Sequence, residues 1–96
     1  MRRGGIQLAV LALVLAAGTA SAAPAPPGAA ACSGCHRPAG AGGVVPAING
    51  RPAGEIVAAM QAYRAGERSP TVMNRIAKGF SDDEVQAIAA WLAEQR

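Results

Sequence analysis

The chain has 96 residues, a formal net charge of +3, and one residue each of Trp, Tyr and Phe. This length fits one small domain, and the sequence contains no basic tract with interleaved aromatic residues of the kind that binds nucleic acid. Two cysteines and one histidine are too few for a structural zinc site, which usually takes four such ligands.

The N-terminus has the three parts of a secretory signal peptide. Arg2 and Arg3 form a short positive segment, an apolar run covers residues 6–17, and residues 20–22 read A-S-A, a typical cleavage pattern. A membrane anchor is the alternative, but the apolar run falls short of the ~20 residues that span a bilayer. We therefore predict a signal peptide over residues 1–22, cleavage near Ala22/Ala23, a periplasmic location and no membrane span in the mature chain.

A tether rich in Pro, Ala and Gly is predicted over residues 23–28, followed by a single domain over residues 29–96. The domain begins with a short predicted helix over residues 29–35. Residues 32–36 read C-S-G-C-H, the attachment signal of a c-type haem. The thiols of Cys32 and Cys35 would form thioethers with the haem vinyl groups, and His36 follows directly, where its imidazole can bind the iron. The motif predicts one covalently attached haem c.

A thiol–disulfide redox pair is the main alternative for the two cysteines. An oxidising compartment would also permit a Cys32–Cys35 disulfide. Redox-active C-x-x-C pairs usually begin a helix that follows a strand, and the proline-rich stretch before Cys32 does not resemble a strand. The sequence therefore favours haem attachment over a haem-free thiol module.

The remainder of the domain is predicted to consist of helices and loops. Residues 37–51 contain two prolines and four glycines and form a loop. Pro52 is suited to begin a helix that ends at Gly66, with an apolar face of Ile56, Ala59, Met60 and Tyr63. After a second loop over residues 66–70, a short helix over residues 71–78 is closed by Gly79.

The last helix has the clearest start signal in the sequence. Ser81 and Glu84 form a capping box, with Ser81 as the N-cap. Beyond it an apolar stripe recurs at helical spacing, formed by Val85, Ile88, Ala89 and Leu92. This stripe predicts core packing, so the fold class is all-α.

The second axial ligand of the iron must come from a residue other than His36, the single histidine. Without Met1, the methionine candidates are Met60 and Met73. Met60 belongs to the apolar face of the middle helix, where methionine usually fills the core. Met73 follows the irregular Ser69-Pro70 stretch, and a loop there can wrap to the far face of the ring. We predict Met73 as the ligand; His/Met ligation fills both axial positions and indicates electron transfer.

The order of these features resembles the small class I cytochromes c over about residues 29–96. Within that family, residues 63–68 (Y-R-A-G-E-R) and 71–81 (T-V-M-N-R-I-A-K-G-F-S) resemble the cytochrome subunit of flavocytochrome c sulfide dehydrogenase. The resemblance implies three to four short helices around one haem. It also implies that Cys32 and Cys35 carry the haem.

The resemblance further implies roles for two single residues. The carbonyl of Pro46 would accept a hydrogen bond from Nδ1–H of the axial His36, and Trp91 would pack near the first helix. Family members usually have a longer helix before the first cysteine. Here three prolines among residues 24–27 shorten it, so we expect a weaker crossing of the first and last helices.

The predicted function is a periplasmic carrier of single electrons rather than an enzyme. The resemblance implies that it accepts electrons from a FAD-containing sulfide dehydrogenase subunit. Three alternatives stay open: a free soluble cytochrome c that donates to an oxidase or another cytochrome, a ligand-binding or peroxidase-like haem protein, and the haem-free thiol module. Four basic residues flank the Met73 segment and are predicted to form a docking rim: Arg64, Arg68, Arg75 and Lys78.

Overall fold

Residues 23–96 are described by a computed structural model and contain four α-helices: α1 (Ala29–Cys35), α2 (Ala53–Ala65), α3 (Val72–Ala77) and α4 (Asp82–Glu94). No strand occurs in this part of the chain, so the all-α prediction is confirmed. None of the four helices is long and apolar enough to cross a membrane. The predicted signal peptide, residues 1–22, lies outside the described residues.

The capping box predicted at the start of α4 is present. The Ser81 hydroxyl accepts a hydrogen bond from the Glu84 N–H at 3.2 Å, and the Ser81 N–H donates to the Glu84 carboxylate at 3.1 Å. These bonds hold the pKa of Glu84 below its usual value. The predicted apolar stripe is also confirmed, since α4 buries Val85, Ile88, Ala89 and Leu92.

Helix α1 meets α4 although only three helical residues precede Cys32. Ala29 is fully buried and packs with Ile88 and Leu92 of α4. Gly28, before the helix, has a φ of 87°, and a Cβ placed there would lie 2.7 Å from Cε1 of Phe80. A glycine at this position therefore lets the short helix approach α4 closely. The prolines shorten α1 as predicted, but they do not prevent its contact with α4.

Helix α2 packs against both α3 and α4 and ends at Gly66, whose φ is 75°. Pro52 is the N-cap residue rather than the first helical residue. Helix α3 is shorter than predicted, because Thr71 and Lys78 are its caps. Gly79 follows the C-cap, and its N–H donates to the Ile76 carbonyl at 2.9 Å in a tight last turn. Its backbone is not in the left-handed conformation.

Candidate haem-binding site

A cavity of about 560 Å³ lies between the helices and the first loop. Helix α2 has no buried residue, and instead its predicted apolar face lines this cavity through Ile56, Ala59, Met60 and Tyr63. Among residues 23–96, Leu92 is the one large side chain that is fully buried. Protein interiors are normally close-packed, with few voids larger than a water molecule. The fold therefore has room for one large, mostly apolar group where other small domains have side chains.

The C-x-x-C-H residues lie along one wall of this cavity. Cys32 and Cys35 belong to α1, His36 caps that helix, and all three line the cavity. Cys32 is half-buried and Cys35 is exposed. Burial raises the pKa of the Cys32 thiol.

The imidazole of His36 is oriented by the first loop. Its Nδ1 lies 2.6 Å from the carbonyl oxygen of Pro46. A carbonyl can only accept a hydrogen bond, so Nδ1 carries the proton and Nε2 keeps its lone pair. The same loop is held to α4, because the Gly50 N–H donates to the Leu92 carbonyl at 2.9 Å. His36 is thus prepared to bind a metal ion through Nε2.

Both candidate methionines line the same cavity, from different helices. Met60 lies on α2, and Met73 lies in the first turn of α3, where its N–H donates to the Thr71 hydroxyl at 3.1 Å. Met73 thus follows the irregular Ser69-Pro70 stretch and lies within the short helix that the sequence predicted there. Both side chains are half-buried. The cavity can therefore take a thioether ligand from α2 or from α3.

Charged and exposed apolar residues surround the cavity opening. Arg51, Glu55 and Arg68 are among the lining residues, and the Arg68 guanidinium lies 4.8 Å from the centre of the Tyr63 ring. Three valines are exposed although they line an apolar cavity: Val44, Val45 and Val72. The opening thus combines apolar contact surface with positive charge.

Arg64 does not belong to the docking rim that the sequence predicted. Its guanidinium donates hydrogen bonds to the carbonyls of Ala77 and Phe80 and forms an ion pair with Asp82. Its side chain is only partly exposed, at 30%, whereas Arg68, Arg75 and Lys78 are exposed. The sequence could not show this contact, because Arg64 and Asp82 lie 18 positions apart.

The residues of the cavity fit a covalently attached haem. Two thiols and a histidine on one wall supply the attachment chemistry, and an apolar α2 face and two thioethers supply the surroundings of a porphyrin. A volume of about 560 Å³ is also within the range of cofactor sites, roughly 300–1,000 Å³.

Comparison with protein families gives one match that covers most of the domain. Residues 28–92 match the family described as cytochrome C oxidase, cbb3-type, subunit III. The match includes every residue that lines the cavity. It also includes all four helices, apart from the last two residues of α4.

Three curated proteins are similar to this chain. It is 38% identical over 61 residues to the cytochrome subunit of sulfide dehydrogenase from Chlorobaculum tepidum, covering 62% of this chain and 56% of that protein. It is 40% identical over 67 residues to a thiosulfate dehydrogenase electron acceptor from Stutzerimonas stutzeri, covering 65% of this chain and 31% of that protein. A protein of the same description from Thiomonas intermedia is 39% identical over 70 residues, covering 68% and 32%. The chain spans about half the length of the first relative and about a third of the others.

Proposed function

The chain belongs to the c-type cytochrome family of cytochrome C oxidase, cbb3-type, subunit III, and from this premise we propose that it carries single electrons through one covalently attached haem c with His36 and Met73 as axial ligands. The observation that carries the proposal is the shared cavity, which brings the C-x-x-C-H residues and a thioether to one apolar space. The chain is an electron-transfer haem protein, and the resemblance to the cytochrome subunit of sulfide dehydrogenase is confirmed.

Each residue of the proposed site has a distinct task. Cys32 and Cys35 would hold the haem, and Nε2 of His36 would bind its iron. The Pro46 carbonyl fixes the imidazole through its 2.6 Å bond to Nδ1 and raises the basicity of the ring, which strengthens it as a ligand. When bound, the haem supplies an iron that can be reduced and oxidised by one electron. If Met73 also bound the iron, no position would remain open for a substrate, and the site would favour electron transfer over ligand binding or peroxidase chemistry.

We prefer Met73 as the thioether ligand because both ends of its helix are fixed by contacts. The first turn of α3 is fixed by the bond from the Met73 N–H to Thr71, and its last residue, Ala77, is fully buried. Met60 lies in the second half of α2, between Ile56 and Tyr63 on the apolar face, where its flexible side chain can fill space beside the haem.

The proposed electron donor is a FAD-containing sulfide dehydrogenase subunit. Support comes from the similar protein of Chlorobaculum tepidum, which is described as the cytochrome subunit of sulfide dehydrogenase. The protein would be exported to the periplasm, where c-type haems are attached. Its task would be to take electrons one at a time from the flavin of the larger partner.

A second donor is supported by two other relatives, which are described as electron acceptors of thiosulfate dehydrogenase. In this alternative the chain is a free carrier that receives electrons from thiosulfate oxidation and passes them to an oxidase or another cytochrome. Both alternatives use the same haem site and differ only in the protein that docks at its opening.

The proposed function is tested on the mature protein purified from a host that attaches c-type haems. We expect a pyridine haemochrome spectrum of a haem with two thioether bonds, at one haem per chain, and a sulfur-to-iron charge-transfer band in the oxidised protein. Stopped-flow reduction by a sulfide dehydrogenase flavoprotein with sulfide, and by a thiosulfate dehydrogenase with thiosulfate, then separates the two donors. A protein that carries no haem, or that neither donor reduces, would contradict the proposal.

Docking of the donor is expected to depend on the exposed basic residues on either side of Met73 in the chain. Arg68, Arg75 and Lys78 would steer an acidic partner, and complementary charge acts mainly on the association rate. Because exposed charges more than ~8 Å apart hardly interact at ~0.15 M ionic strength, electron transfer from the true donor should slow as salt rises. Arg68→Glu with Arg75→Glu should slow it further at low salt and leave the haem spectrum unchanged.

Two controls accompany this measurement. Arg96→Glu makes the same charge reversal as Arg68→Glu, but at a residue that does not line the cavity, so it should affect the second-order rate less than Arg68→Glu does. A rate that does not change with salt, or a charge-reversed protein that reacts as fast as the parent, would show that docking depends on apolar contact with the exposed valines instead.

A further inference from the structure

Arg64 joins three helices at one point. Its Nε donates to the Ala77 carbonyl at 3.4 Å and its Nη2 to the Phe80 carbonyl at 2.8 Å, while Nη1 pairs with the Asp82 carboxylate. Arg64 lies in the last turn of α2, Ala77 ends α3, and Asp82 begins α4. The three acceptors therefore lie where α3 ends and α4 begins, with Phe80 in the connection between the two helices.

Helix α3 needs such external support. It has six residues, and a helix of that length is not stable alone in water. Its last carbonyl groups have no partner within the helix, and Arg64 provides one for Ala77. At the other end the Thr71 hydroxyl accepts the Met73 N–H. Helix α3 is thus held at its start by its own cap and at its end by a side chain from α2.

The position of Met73 depends on the same contact. Met73 and Ala77 are four residues apart and share one face of α3. Ala77 is fully buried, and Met73 lines the cavity one turn before it. A movement of the Ala77 end away from α2 would therefore turn Met73 relative to the cavity.

From these contacts we infer that Arg64 is a positioning residue, which holds α3 against α2 so that the Met73 thioether stays at the iron. The inference rests on the proposed ligation by Met73. A planar guanidinium can reach acceptors in several fixed directions at once, whereas a lysine ammonium is a flexible point charge. The role therefore requires arginine and not merely a positive charge.

The test measures how easily an added ligand replaces the thioether. Imidazole is titrated into the oxidised, haem-containing mature protein, and its affinity and the thermal loss of the charge-transfer band are recorded. We expect Arg64→Lys and Arg64→Gln to bind imidazole about tenfold more tightly than the parent, since lost hydrogen bonds to a charged group commonly shift an equilibrium by that factor. The band should also disappear at a lower temperature. If Arg64→Gln yields no folded protein, Arg64→Lys supplies the measurement.

Arg75→Gln is the matched control. Arg75 lies on α3 two residues after Met73, is exposed, and makes no side-chain hydrogen bond within the described part of the chain. It removes the same charge close to Met73 and should leave imidazole affinity unchanged. Asp82→Asn removes the exposed ion pair and keeps both carbonyl contacts, so its effect should be less than about twofold.

The outcomes separate this inference from the proposed function. If Arg64→Lys matches the parent in imidazole affinity and band stability, Arg64 does not position Met73. If Arg75→Gln has the same effect as Arg64→Gln, the loss of positive charge near Met73 and not the contact is responsible, and the inference is wrong. Met73→Ala serves as the reference: if it binds imidazole no more tightly than the parent, Met73 is not the ligand, and the proposed ligation fails together with the role of Arg64.

Discussion

Replacing Cys32 and Cys35 together with alanine is expected to abolish covalent haem and to leave an unfolded or degraded chain. The reason lies in the small core, in which Leu92 is the one large side chain that is fully buried among residues 23–96. Without the haem, the apolar walls of the cavity of about 560 Å³ would face water instead of packing against a large apolar group. A domain this small has few other buried side chains to stabilise it.

The double variant is compared with Ser33→Ala, which changes an exposed residue inside the motif and keeps both thiols. Covalent haem is measured by haem staining of a denaturing gel, and folding by far-ultraviolet circular dichroism of the periplasmic fraction. Ser33→Ala should retain haem and helix content. A double variant that is stable and helical without haem would show that side chains alone fill the core, and the role of the haem in folding would be refuted.

Local signals in the sequence predicted most of the helical framework. The bounds of α1 are those observed, Gly66 ends α2, and the Ser81–Glu84 capping box starts α4. Each of these features depends on residues within four positions of one another, so they can be recognised without knowledge of the fold. The apolar periodicity of α4 likewise identified the four residues that it buries.

Contacts between distant parts of the chain could not be predicted in the same way. The sequence assigned Arg64 to an exposed docking rim, because its charge is visible and its partners, 13 to 18 positions away, are not. The buried contact of Ala29 with α4 has no local signal, since it depends on the close approach of Gly28 to Phe80.

The site shows both the strength and the limit of sequence reasoning. The C-x-x-C-H residues are adjacent in the chain, and the structure places all three on one cavity wall. The bond from His36 to Pro46 spans 10 positions and was expected only from family resemblance. The choice between Met60 and Met73 is not decided by cavity lining, because both residues line it. These two methionines therefore give the most direct test of the proposed ligation.

Met73→Ala is expected to lower the reduction potential, remove the charge-transfer band and open the iron to small ligands. Loss of a methionine ligand removes the group that raises the potential of a His/Met haem. The expected decrease is roughly a tenth of a volt or more, within the ~0.8 V range over which axial ligands set haem potentials. The measurements are a spectroelectrochemical titration, the red end of the oxidised spectrum, and imidazole or cyanide binding.

Met60→Leu is the matched variant, because it removes the other thioether that lines the cavity and nearly conserves volume. It should leave the potential, the band and the ligand affinity almost unchanged, with a loss of stability under ~1.5 kcal/mol. If Met60→Leu loses the band and Met73→Ala keeps it, α2 supplies the ligand and α3 only covers the cavity. In that case the contacts of Arg64 would stabilise the helix connection without any effect on the iron. If the parent protein shows no such band, a thioether is not the sixth ligand, and the proposed electron carrier would need a different axial group from this chain.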